Sequence, residues 1–147
     1  MKKLIYTVVL SFLCSLGAFA QFNIGVGAIY FTEGSELGVQ AKAMLQVQEK
    51  WKFSPAVNYY LTNGINFGFD ADVHYELFTV ADNVNIALMG GLNWTKYGEG
   101  IDPDIGINIG VISDFTVKDG SLHFYLEPKL LFIGDSSGFV ITTGILL

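Results

Sequence analysis

Arginine is missing from the whole chain, and the one cysteine, Cys14, lies in its apolar head. Charge of either sign is scarce: charged residues are 15% of the total, against about 25% in an ordinary soluble domain. Each shortage excludes something. Without cysteine beyond residue 14 there is neither a disulfide framework nor a thiolate metal site. Without a basic patch, and with a formal net charge of −6, nucleic acid is not a partner. Past residue 20 no apolar run reaches the roughly 20 residues of a membrane-spanning helix. Yet 51% of the chain is hydrophobic, so something other than a helix must cover it.

The head of the chain has its own logic. Met1-Lys2-Lys3 is basic, Leu4 to Leu16 is apolar, and Gly17-Ala18-Phe19-Ala20 ends in an Ala-x-Ala pattern before Gln21. This is the layout of an export signal, with cleavage expected after Ala20. The run is too short for a membrane anchor. Cys14 follows Leu13, not the small residue expected before a lipid-modified cysteine. Residues 1–20 thus read as a signal peptide and residues 21–147 as one exported domain.

That domain alternates. From Ile65 to Leu77 the odd positions are Ile, Phe, Phe, Ala, Val, Tyr and Leu, while the even ones are Asn66, Gly68, Asp70, Asp72, His74 and Glu76. Side chains of a β-strand alternate between faces, so this is a strand with one apolar and one charged wall. It is also long enough for a tilted bilayer crossing of about 9–11 residues. Seven further stretches repeat the pattern, beginning near Phe22, Glu36, Trp51, Val84, Asp104, Leu122 and Phe139. The turn signals between them include Glu33-Gly34-Ser35, Asn63-Gly64, Ala81-Asp82-Asn83, Lys118-Asp119-Gly120 and Gly134 to Ser137. Short turns make sequential neighbours antiparallel, and closing eight such strands removes the exposed edges. The expected fold is all-β, an eight-stranded antiparallel up-and-down barrel.

The apolar wall must then face either a ligand inside, as in a lipocalin-like carrier, or lipid outside, around a polar interior. It carries no charge in any strand. Glycines 25, 27, 38, 68, 91, 106 and 110 crowd the polar wall, as a narrow concave interior needs. Tyr30, Trp51, Phe53, Tyr75, Trp94, Phe132 and Phe139 sit near strand ends, where interfacial girdles lie. The apolar wall is therefore read as the outer one, and the barrel as transmembrane.

With its export signal and eight amphipathic strands, the last of them Phe139 to Leu147, the chain resembles the small eight-stranded outer-membrane β-barrels of Gram-negative bacteria. The resemblance implies residence in the outer membrane, contact with its lipid, and insertion by the barrel-assembly machinery.

The polar wall assigns to the lumen Glu36, Lys42, Lys52, Asp70, Asp72, His74, Glu76, Asp104, His123, Tyr125, Glu127 and Lys129, with amides such as Gln40, Asn58, Asn93 and Asn108. Eight strands leave just enough room for side chains to fill the interior, so these read as a structural polar plug. The sharper alternatives are an acid–base or metal site from His74 with Asp72 and Glu76, or from His123 with Glu127. No HExxH-like spacing supports either, and the glycine pairs precede no helix that could hold a phosphate. A lipid hydrolase would need a serine beside a histidine on the outer wall, whereas both histidines fall on the polar wall. The acids Glu99, Asp102 and Asp104 read as a solvated loop, not a calcium site. Neither enzyme chemistry nor a cofactor is expected. Thr95–Pro103 is the one roomy connection and the candidate for an extracellular contact. A narrow channel for ions or very small solutes is the remaining alternative.

Overall fold

The computed structural model describes residues 22–62, 65–98, 100–117, 122–134 and 136–147. The expected signal peptide, the Asn63-Gly64 turn, Glu99 and the Lys118-Asp119-Gly120 turn lie outside them. Eight strands follow one another: β1 (Phe22–Phe31), β2 (Glu36–Gln48), β3 (Trp51–Tyr60), β4 (Ile65–Val80), β5 (Val84–Tyr97), β6 (Asp104–Thr116), β7 (His123–Ile133) and β8 (Ser136–Leu146). Each pairs antiparallel with its neighbour in sequence, and β8 returns to β1 to close a barrel. The closing seam runs from Gly25 opposite Leu146 to Phe31 opposite Val140. Two backbone bonds between Ile24 and Leu147, of 3.1 and 2.9 Å, extend it.

The strands follow from the alternation because pairing satisfies the backbone along each ladder while sending apolar rows outward. Ile24, Val39, Tyr59, Val73, Leu92, Ile109, Phe124 and Ile141 all lie exposed on the outside. Between them Gln40, Asn58, Asp70, Asn93, Asn108, Glu127 and Thr142 are buried inside. An exterior this apolar suits hydrocarbon, where a closed sheet leaves no backbone group unpaired.

Three bulges break the period of two. The first two are in β4, where Asn66 and Leu77 are each the extra residue on their strand, and the third falls between Gln46 and Gln48 of β2. The first corrects the sequence reading: Ile65 does not join the outer row but turns into the lumen, 5% exposed, opposite Tyr97. An inserted residue reverses the face on which all residues beyond it lie. The expected loops also shrink. Thr79 and Val80 belong to β4, Thr95 to Tyr97 to β5, and Asp114 to Thr116 to β6. The roomy connection is therefore 98–103, two thirds of what the sequence suggested. One end of the barrel carries the start of β1 and the end of β8 (its termini) with connections 49–50, 81–83 and 117–122. The other carries 32–35, 61–64, 98–103 and 134–135.

Candidate functional site in the barrel lumen

Asp70 is the centre of the interior. Its two oxygens accept from Asn58 Nδ2 at 2.7 Å, Asn93 Nδ2 at 2.7 Å, Asn108 Nδ2 at 2.9 Å and Lys129 Nζ at 3.0 Å. Those donors come from β3, β5, β6 and β7, so one carboxylate on β4 ties five of the eight strands together. Asp72, one pleat along, accepts from Asn108 at 2.9 Å and from Lys129 at 3.4 Å. Lys129 also lies 3.8 Å from Glu127 Oε1, and Glu127 Oε2 is paired with Lys42.

A neutral arm completes the ring. Gln40 donates to Asn58 Oδ1 at 2.8 Å and accepts from the Tyr125 hydroxyl at 3.2 Å, while the Lys42 ammonium sits 4.6 Å from the centre of the Tyr125 ring. Tyr125 fits because Gly27 and Gly144, opposite one another across the β1–β8 seam, leave the space its hydroxyl enters. A methyl group on Gly144 would stand 2.7 Å from that oxygen.

The lumen is not polar throughout, which the sequence reading did not anticipate. Toward the end without termini, Ile29, Tyr60, Ile65, Leu131, Ile133 and Val140 form one buried apolar layer. Toward the termini, Met44, Ala87, Ile112, Tyr125 and Leu146 form another. The charged ring lies between the two. The missed signal is the inward row itself, which turns apolar on either side of the charged stretch, at Met44, Ala87, Val140 and Leu146.

The twelve residues assigned to the lumen are not one cluster. Lys42, Asp70, Asp72, Tyr125, Glu127 and Lys129 join in the central ring. Lys52 and Glu76, 3.6 Å apart, form a half-buried pair at the rim near the termini. His123 is there too, with Nδ1 at 3.2 Å from Asp114 and 3.1 Å from Thr116, and does not meet Glu127. Asp114, absent from the expected set, is its actual neighbour. Glu36 sits at the opposite mouth and accepts a hydrogen bond from Thr62. Asp104 does not belong inside: it is exposed as the first residue of β6, where the strand has already emerged from the barrel.

The Asp72–His74–Glu76 row shares a wall and nothing more. Asp72 turns to Lys129 and Glu76 to Lys52. His74 is 1% exposed, and neither of its ring nitrogens has a hydrogen-bond partner among the described residues. Beside it a cavity of about 10 Å³, lined by Met44, Lys52, His74 and Ile112 among others, has room for about one water. Ser54, the serine within β3, is likewise buried with its hydroxyl unbonded.

Outside, aromatic pairs mark both ends of the apolar belt. Trp51 and Tyr75 are 4.8 Å apart near the termini, and Phe67 meets Trp94 edge-on at 6.1 Å near the other end. Rings at these levels match the girdles of membrane barrels.

No protein-family model and no curated protein matches the sequence. Solved structures do match. The N-terminal β-barrel domain of Pseudomonas aeruginosa OprF aligns with 85% of this chain and 94% of its own length, at TM-score 0.71 and 8% identity. Neisserial surface protein A aligns at TM-score 0.62 and 13% identity, over 86% of this chain and 96% of its own. The Yersinia pestis outer membrane protein Ail aligns at 0.55 and 10%, over 86% and 98%. The chain has the fold of the small eight-stranded outer-membrane β-barrels.

Proposed function

We propose that residues 21–147, exported by a signal peptide cleaved after Ala20, form a non-enzymatic protein of the bacterial outer membrane whose role is structural or interactive and whose lumen is plugged. One observation carries the reading. The barrel is inside-out relative to a carrier, with its apolar rows outside and a cross-linked charged ring inside, flanked by an apolar layer on either side. A carrier of an apolar ligand needs the opposite arrangement. A channel needs a continuous wet path, and here the charged ring is knitted across the lumen.

Lipid is the partner along the outer wall, and the barrel-assembly machinery is the partner during insertion. Contact with other molecules falls to the mouth formed by connections 32–35, 61–64, 98–103 and 134–135. The 98–103 connection, flanked by exposed Lys96, replaces the longer Thr95–Pro103 loop in that role.

Two measurements test the proposal. Cell fractionation should place the protein in the outer membrane, extractable only with detergent. Planar-bilayer recording of the refolded barrel should show no steady unitary conductance. Recovery in the soluble periplasm would remove the membrane assignment, and a steady open level would remove the plug.

A further inference from the structure

At the mouth away from the termini, a hollow of about 280 Å³ opens above the first apolar layer. Its floor is Phe31, Ile65, Leu131 and Ile133, and its wall includes Glu33 and Glu36. The size is close to the lower bound of about 300 Å³ for small-molecule sites, and the make-up, mostly apolar with few polar groups, is theirs as well.

Glu36 is the decisive residue. It is 7% exposed, and it makes no salt bridge with any described residue. Its Oε2 accepts from Thr62, and its Oε1 has no hydrogen-bond partner among the described residues. Every carboxylate of the central ring lies within 4 Å of a lysine, so this protein otherwise pairs the acids it buries. One carboxylate oxygen is thus left without a partner at the hollow, where a cation can reach it. No lysine among the described residues does, and Lys96 is exposed on the outer wall.

We infer that the hollow is a binding site for a small amphiphilic amine, whose ammonium pairs with Glu36 while its apolar body rests on Ile65, Leu131 and Ile133. Glu33 at the rim adds a second negative charge that attracts such a ligand and repels an anionic one. The inference rests on the geometry of the mouth and is independent of whether the lumen conducts.

The test uses the whole barrel in lipid nanodiscs with isotope-labelled Ile and Leu methyl groups. The probes are 2-phenylethylamine and its uncharged counterpart 2-phenylethanol. Expected are saturable NMR shifts of the Ile65, Leu131 and Ile133 methyls with the amine, and at least tenfold weaker binding of the alcohol. Glu36→Gln should lower amine affinity at least tenfold and leave the alcohol unchanged. Equal binding of amine and alcohol, shifts that never saturate, or shifts confined to lipid-facing Ile105 and Ile107 would overturn the inference. If Glu36→Gln does not fold, the amine–alcohol comparison in the unaltered protein still decides.

Discussion

Replacing Lys129 by Met should cost the barrel far more than the loss of a charge at its rim. Met keeps most of the apolar stem, which packs against Gly110, so the substitution isolates the ammonium. That ammonium faces Asp70 at 3.0 Å, Asp72 at 3.4 Å and Glu127 at 3.8 Å, all almost wholly buried. Asp70, Asp72 and Glu127 against Lys42 and Lys129 leave the ring one negative charge in excess. Lys129→Met leaves it two in excess, with Asp72 held only by Asn108. Breaking a buried pair in this way costs about 3–5 kcal/mol.

The charge count also predicts signs. Asp72→Asn brings the ring to neutrality and keeps an acceptor for Asn108, so it should change stability by no more than about 1 kcal/mol. Combining the two should recover part of the Lys129→Met loss, a coupling of about 1–3 kcal/mol. Lys52→Met is the control, since its 3.6 Å pair with Glu76 is partly solvated and worth about 0–1 kcal/mol. The assay is denaturant unfolding from lipid vesicles, followed by the emission of Trp51 and Trp94 at opposite ends of the barrel. The reasoning fails if Lys129→Met costs less than about 1 kcal/mol, or no more than Lys52→Met.

Two other perturbations test the packing and the wall. Gly144→Ala places a methyl group against the Val26 carbonyl oxygen, 2.6 Å from Gly27 Cα and 2.7 Å from the Tyr125 hydroxyl. It should cost about 1–3 kcal/mol, which a Tyr125→Val background relieves only in part because the backbone contacts remain. In the same unfolding assay, a Gly144→Ala variant as stable as the unaltered protein would contradict the fit. Arginine on the outer wall should show a depth profile: about 2–4 kcal/mol at Ile109, midway along β6, and about 0–1 at Val80, at the end of β4. Equal costs at the two sites would mean that the wall does not face a bilayer.

Much of this architecture was legible because a barrel enforces one rule on every strand. Apolar rows such as Val84–Trp94 and Leu122–Phe132 could be assigned to the outside from their period alone, and the Asp70–Glu76 row to the inside. The rule fails at bulges, since the extra Asn66 leaves no mark in composition, and so Ile65 was placed on the wrong wall. Pairing across the lumen was not legible either. His74 stands between two acids in sequence, yet the groups Asp72 and Glu76 meet are lysines from β7 and β3. Asp104 obeys the period but lies beyond the covered part of the barrel, and period carries no information about depth.

Depth also explains why the lumen is layered. Ion pairs like those of Lys129 are strong only where water is excluded, because the Coulomb term falls with the local dielectric. The ring therefore needs lids, and connections of two to six residues offer little chain to provide them. The inward row supplies them itself by turning apolar toward both mouths, with Ile29, Leu131 and Val140 on one side and Met44, Ile112 and Leu146 on the other. The apolar layers and the charged ring are thus one device: the layers help bury the ring, and the ring ties β2, β3, β4, β5, β6 and β7 across the space between them. The same five charges without the layers would be solvated and weakly paired.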